Sequence, residues 1–235
     1  YNSDQTSYYR SSEVEAVIHK ALNYWFTAKP VCLNWWYNQI GIPKTLGTVF
    51  ILFEKQLTPV EKQNAITVME NAKFGMTGQN KVWLAGNVMM RALLQNDYEL
   101  VKMARDTIAS EIVTGGAEGI KDDWCFHQHG AQQQFGNYGL SFVSGMSFFS
   151  GLFSGTSLAF DDKQLSILST LIDKGYRWVI WKGMMDVNAL GRQLFHHAPV
   201  HKALSLAFAA SELGGGESDE CVAVATALLR DNYPA

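Results

Sequence analysis

A chain of 235 residues, 47% of them hydrophobic, can bury a sizeable core in one large domain or two small ones. A formal net charge of -3 and a pI near 6.1 give no global pull toward nucleic acid or anionic membranes. Neither is expected as a partner, and an anionic ligand has to be met by a local basic or amide-rich site. No apolar run approaches the roughly 18 residues needed to cross a bilayer as a helix.

The first residues, YNSDQTSYYR, do not read as a signal peptide or a usual start, and DNYPA ends the chain as abruptly. Both ends suggest processing or a piece of a longer protein. Val14, Val17, Ile18, Ala21, Leu22 and Trp25 recur at helical spacing and predict one continuous helix face. Ser12 with Glu15 predicts a capping box ahead of it. Pro43 can open a second helix carrying Leu46, Val49, Phe50 and Phe53. Thr58, Pro59 and Glu61 mark a third start, as N-cap, first-turn proline and capping-box partner.

Further helices are predicted near 81–95, 98–113, 138–153, 162–181, 199–212 and 218–230, with Asp161 or Asp162 and then Ser218 as caps. Alternating β-branched runs are nearly absent, which predicts an all-α fold. Short polar or Gly-rich links (KFGMTGQN, VTGGAEG, FSGTS and LGGGES) pair the helices into antiparallel hairpins, which can curl into a solenoid or an α/α toroid. No sequence period recurs. The stretch 114–137 is rich in Gly, His and Gln and too long for a plain connector, so it reads as a functional loop held in order by Trp124, Cys125, Phe126 and Phe135. Cys32, Cys125 and Cys221 are odd in number and far apart, which predicts buried thiols rather than a disulfide frame or zinc site.

Four places hold polar or aromatic groups beyond structural need. Asn34-Trp35-Trp36-Tyr37-Asn38 places adjacent tryptophans on one short segment, suited to core packing or to stacking on the CH face of a sugar. Thr77-Gly78-Gln79-Asn80 precedes a helix, and its plainest reading is a turn ending in an N-cap. Asp122 to Gly130 holds His127 and His129, followed by Gln132 to Gln134 and Phe135-Gly136-Asn137-Tyr138-Gly139. A metal there needs ligands from elsewhere in the chain. Asn188-Ala189-Leu190-Gly191-Arg192 is followed a turn later by His196 and His197. A lone arginine on such a segment is ordinarily a solvated charge.

With these segments in view, the chain resembles the hyaluronate, chondroitin AC and xanthan lyases, polysaccharide lyase family eight. NWWYNQIGIPK resembles that family's tryptophan patch, and TGQNKVWLAGNVMMRALL the segment bearing its catalytic asparagine. DDWCFHQHGAQQQFGNYG is similar to the catalytic loop, with His129 and Tyr138 nine positions apart, and ALGR to the motif with a catalytic arginine. The four stand in the family's order and cover essentially the whole chain.

The resemblance implies a single α/α-toroid catalytic domain over 1–235, an incomplete toroid of antiparallel helical hairpins. It implies Asn80, His129, Tyr138 and Arg192 as catalytic residues, and Trp35, Trp36, Gln128, Asn137 and His196 as substrate-binding ones. It further implies an acidic polysaccharide substrate, no metal or cofactor, secretion or a periplasmic location, and a following β-rich region that closes the cleft. Many relatives carry a second arginine where His196 stands, which bears on substrate preference.

The chemistry accounts for these residue types. Elimination removes the proton at C5 of a uronate and expels the 4-O substituent. An amide such as that of Asn80 can hydrogen-bond the carboxylate as charge builds on it. A phenol can accept the C5 proton and return one to the leaving oxygen, while imidazole is the alternative base. Two competing readings are a non-catalytic acidic-glycan-binding module and a glycoside hydrolase. The latter needs two carboxylates across the scissile bond, for which the adjacent Asp122 and Asp123 are poorly spaced.

Overall fold

The computed structural model describes residues 1–214 and 219–232. It divides into two compact units, Tyr1–Gly75 with Trp83–Arg105, and Met76–Val82 with Asp106–Ala235. Nine α-helices occur among the described residues, α1 (Ser12–Ala28), α2 (Ile42–Leu52), α3 (Pro59–Met69), α4 (Gly78–Gln95), α5 (Tyr98–Ala109), α6 (Leu140–Phe153), α7 (Asp162–Thr170), α8 (Ala198–Gly214) and α9 (Asp219–Asn232). The only strands among them form two antiparallel two-residue pairs: β1 (Gly119–Ile120) with β2 (Phe126–His127), and β3 (Ile180–Trp181) with β4 (Met184–Met185).

In the first unit, α1, α2, α3 and part of α4 enclose Leu22, Phe26, Phe50, Phe53, Ala65, Met69 and Leu94. Gly47 lets α2 pack closely on Met69 and Met90, since a Cβ there would sit 2.7 Å from the Met69 methyl carbon and the side chain would have to shift. The cap of α1 is Ser11, one residue earlier than expected. Ser11 has extended dihedrals and accepts from Val14 N, whereas Ser12 is already helical and Glu15 is taken by the Tyr1 hydroxyl at 2.5 Å. Pro43 lies in the first turn of α2 as predicted, and the Thr58–Glu61 capping box on α3 is complete in both directions.

Glu61 is nearly buried (3% exposed) and does more than cap. Its carboxylate accepts from Thr58 N, Thr58 Oγ1 and Asn23 Nδ2, and its two oxygens lie 2.8 and 3.0 Å from His19 Nδ1. Burial pushes its pKa up, but the Thr58 and His19 hydrogen bonds outweigh that and hold it below its ordinary value. The stability this contributes is therefore complete above about pH 4.3, the free carboxyl value, and is lost as pH falls through the lower folded one. Glu61→Ala is expected to cost about 3 kcal/mol, because donors from three residues, His19 and Asn23 on α1 and Thr58 at the cap of α3, lose their acceptor together. Chemical denaturation at pH 7 and again near pH 3 measures both effects, with the mutant–parent gap closing in acid.

In the second unit, α8 packs against α6 and α9, and β4 rests on α8. Phe126, Phe142, Met146, Leu168, Leu171, Ile172 and Tyr176 are almost wholly buried, each large side chain contributing about 1.5–3 kcal/mol on removal from water. Asp161 caps α7 with Gln164 as its capping-box partner. The predicted helix 162–181 ends at Thr170. A π-turn (Leu171–Gly175), a 3-10 turn (Tyr176–Val179) and the β3–β4 hairpin complete that stretch. Gly175, the last residue of that π-turn, leaves no room for a side chain, since a Cβ there would come within 2.4 Å of the Trp124 carbonyl. α5 stops at Ala109, short of the expected 113. The cap expected at Ser218 and most of the LGGGES link lie outside the described residues. Cys221 is buried, while Cys32 and Cys125 are only half-buried, unlike the buried thiols expected of all three.

Candidate active site

The 114–137 loop is ordered by the β1–β2 hairpin and by backbone bonds from Gln128 N to Gln132 O and from Gln134 N to Phe126 O. It runs into a buried π-turn, Phe135–Gly139, that feeds α6. Glycine is needed twice in this turn. A Cβ on Gly139 would lie 2.5 Å from the Tyr176 hydroxyl oxygen, and one on Gly136 2.6 Å from the Ala189 carbonyl. Tyr176, fully buried, donates its hydroxyl to Phe135 O at 3.0 Å, and burial pushes that phenol well above its usual acidity range. The turn is thus clamped from both sides.

Its fourth residue is Tyr138, whose ring is buried (5% exposed). His129 Nε2 lies 3.0 Å from the Tyr138 hydroxyl, with the imidazole edge-on to the phenol ring at 5.0 Å. Arg192 donates from Nη2 to the same oxygen at 3.1 Å. His129 and Arg192 are themselves exposed. One phenol oxygen therefore sits between an imidazole nitrogen and a guanidinium.

His129 takes a positive φ of 60°. Its position follows from Gln128 and Glu118. The buried Gln128 accepts from Gln79 N at 2.9 Å and donates to Thr77 O and to Glu118. Glu118 in turn accepts from Thr77 Oγ1 at 2.6 Å and from Gly130 N at 2.9 Å. Burial raises the Glu118 pKa, yet the Thr77, Gly130 and His129 hydrogen bonds prevail and keep the carboxyl ionised to a lower pH than a free one. Gly78 has to be glycine here, since a Cβ would meet Gln128 Oε1 at 2.4 Å.

This network ties the start of α4 to the histidine loop. Asn80 is not the cap expected at its position but lies in the first turn of α4, 6% exposed. Its Oδ1 is buried without a hydrogen-bond partner among the described residues, as is Asn137 Nδ2. Buried side-chain amides are ordinarily satisfied, so each marks a place where an outside polar group belongs. For Asn80, a half-turn of the amide exchanges its oxygen and NH2. Glu111 steadies the same turn, accepting from Gly78 N at 2.7 Å and pairing with Lys81 at 2.9 Å.

Arg192 follows Gly191, which has a φ of +66° and packs against the Asn137 Cβ. His196 is exposed, its ring 4.3 Å from that of His197. It lies in the segment after Arg192 and makes no described bond to Tyr138. Trp35 and Trp36 belong to the first unit. Trp35 is 42% exposed, while Trp36 packs edge-on against Tyr37 and Trp83 at 5.4 and 5.5 Å. Lys44 Nζ lies 5.4 Å from the Trp83 ring, and partial burial lowers its proton affinity. Trp36 leads into a π-turn (Tyr37–Gly41), and Asn87 Nδ2 donates to the carbonyl of Ile40 at 3.1 Å. Of the expected side chains, His129, Tyr138 and Arg192 are thus in direct contact, Gln128 and Asn137 adjoin them in sequence, and Asn80 is joined through Gln79 and Gln128. Sequence reasoning missed Glu118, Glu111 and Trp83.

Among the described residues the fold is built of helices and two short hairpins, and one phenol oxygen is held between an imidazole and a guanidinium. Residues 1–211 match the polysaccharide lyase family 8, N terminal alpha-helical domain, and the chain belongs to that family. Its fold class is the expected α/α toroid of helical hairpins. It is 30% identical to a chondroitinase-AC of Pedobacter heparinus over 82% of this chain and 28% of that protein. It is 26% identical to a xanthan lyase of a Bacillus species over 80% of this chain and 22% of that protein. A chondroitinase AC lyase structure, described with enzyme–oligosaccharide complexes, superposes with a TM-score of 0.85 at 26% identity, covering 100% of this chain and 36% of that one. A Paenibacillus xanthan lyase superposes at 0.84 and 23% identity over 98% of this chain and 23% of that one, a likeness of fold. The chain thus spans about a quarter to a third of the relatives it matches.

Proposed function

We propose that the protein is a polysaccharide lyase that cleaves uronic-acid-containing glycans, chondroitin or hyaluronan among them, by β-elimination with Tyr138 as acid and base. The observation that carries this is the Tyr138 hydroxyl, bonded to His129 Nε2 at 3.0 Å and Arg192 Nη2 at 3.1 Å. Family membership and the unpartnered Asn80 amide oxygen support it.

In the proposed step the uronate carboxylate hydrogen-bonds the Asn80 amide, which offsets the charge that builds up as C5 loses its proton. The Tyr138 oxygen, as phenolate, accepts that proton. The C5–H electron pair becomes the C4–C5 double bond, and the C4–O bond breaks with its electrons going to the leaving oxygen. The phenol then protonates that oxygen, so Tyr138 returns to its starting state and no water is consumed. Arg192 steadies the phenolate, and His129 holds the hydroxyl's orientation. Trp35, Trp36, Gln128, Asn137 and His196 are proposed to hold the polymer. A β-rich region of the same protein closing the cleft, and a secreted or periplasmic setting, rest on the family alone.

The test is ultraviolet absorbance of the unsaturated uronate formed when the protein meets chondroitin, hyaluronan or xanthan. Elimination gives that chromophore and hydrolysis does not. Binding with no absorbance from any acidic glycan would mean a glycan-binding module instead.

A further inference from the structure

The second unit buries a cation that the proposed reaction does not use. Lys202, on α8, is only 8% exposed and has no carboxylate partner among the described residues. A buried ammonium without a counter-charge carries a desolvation penalty, so it persists where its hydrogen bonds fix something. Its two acceptors are the Gly136 carbonyl and, at 2.6 Å, Gln193 Oε1. Gly136 is two residues before Tyr138, and Gln193 is one residue after Arg192.

These two segments also touch directly, because Gly136 packs against Ala189 and Leu190 too closely for any Cβ. Gly191 likewise sits against Asn137. Van der Waals contact of this kind sets the spacing between the segments. It does not stop the Arg192 segment from sliding along the π-turn, and a directional donor shared by both does. We infer that Lys202 is a positioning residue: its ammonium pins the π-turn of Tyr138 to the segment of Arg192 and so holds the guanidinium on the phenol oxygen.

Burial lowers the proton affinity of Lys202. The sign matters for the test. A lysine whose folded-state affinity is depressed makes the charged form cost stability, and that cost fades as pH rises through its folded-state value. Removing the charge therefore relieves a penalty while two hydrogen bonds are lost, and the two effects oppose each other in stability. Activity has no such compensation, since it depends on where Arg192 sits.

The inference rests on the proposed elimination, and the experiment separates the two. Lys202→Met and Gln193→Leu are made in the protein, alone and combined with Arg192→Ala, and kcat, KM and melting temperature are measured on an acidic glycan. Lys202→Met is expected to lower kcat about 10- to 100-fold, the size of effect a misplacement of about 1 Å produces, with KM changed less than about threefold. In the Arg192→Ala background the same substitution should have little further effect, because the group it positions is gone. Gln193→Leu removes only one acceptor and serves if the methionine variant does not fold, and a smaller fall in kcat at constant KM is expected. Parental kcat in both variants, or losses that multiply with Arg192→Ala, would overturn the inference. If the parent protein makes no unsaturated product, the proposed reaction fails. The positioning role is then read from a crystal structure of Lys202→Met, in which Arg192 should have left the Tyr138 oxygen.

Discussion

Tyr138→Phe is expected to abolish nearly all elimination while leaving the fold intact. The substitution removes one oxygen and keeps a ring that is buried in the π-turn and meets His129 edge-on. The two partners released are at exposed residues, so water re-solvates them, and the stability loss should be about 1 kcal/mol or less. Catalysis loses the group that handles the proton at both ends of the reaction. General acid–base contributions are about 10²–10⁴-fold each, and because the two steps share one oxygen they do not simply multiply, so a fall in kcat of at least about 10³ is expected. Product absorbance with circular dichroism on the same sample measures both. A phenylalanine enzyme working at the parental rate would sink the assignment of Tyr138 and move the base to His129, 3.0 Å away.

How far the fold could be read beforehand depended on whether local chemistry or tertiary contact decided each element. Thr58 with Glu61 and Asp161 with Gln164 close their capping boxes because every atom involved lies within four residues. The cap of α1 slipped by one because Ser11 and Ser12 are chemically equal, and the choice fell to Tyr1, fourteen residues from the Glu15 it engages. The 162–181 stretch misled for a different reason. Leu168, Leu171, Ile172 and Tyr176 are buried at intervals that suit a helix, yet the chain passes through π and 3-10 turns to a hairpin. A hydrophobic period registers which residues face the core, and tighter or wider turns keep the same face inward.

The site divides in the same way. Tyr138, His129 and Arg192 were singled out through the resemblance of their segments to a known family, since read alone the arginine passes for a solvated charge. Glu118 was not, lying in what reads as a Gly-rich connector. It engages Thr77 at a separation of 41 residues and otherwise bonds Gln128 and the backbone N–H of Gly130, contacts with no side-chain signature. Lys202 reads as a solvated charge on a helix until its burial and its bond to Gly136 O, 66 residues away, are seen. The groups proposed to do the chemistry were thus easier to find than those that hold them in place. Trp36 shows the limit on the binding side, since packing against Tyr37 and Trp83 means its loss would disturb structure as well as any sugar contact.

Asn80→Ala is the second substitution expected to have a large effect, and it should move activity and stability in opposite directions. Asn80 lies in the first turn of α4, where alanine is a better helix former by about 0.5 kcal/mol. Its Oδ1 makes no bond among the described residues, so deleting it also relieves a buried polar atom. The variant should therefore melt at or slightly above the parental temperature. In the proposed reaction the amide serves a carboxylate whose charge grows as C5 loses its proton, so the interaction is strongest in the transition state. Removing one such preorganised donor typically costs about 10²–10³ in kcat. Asn80→Asp should cost more, because it sets a like charge against the substrate carboxylate in a nearly buried position, 6% exposed in the parent. Steady-state kinetics with a thermal melt on each variant tests this. A rise in KM with kcat preserved would mean that Asn80 binds ground and transition states alike, and the charge-offsetting role would have to pass to another group.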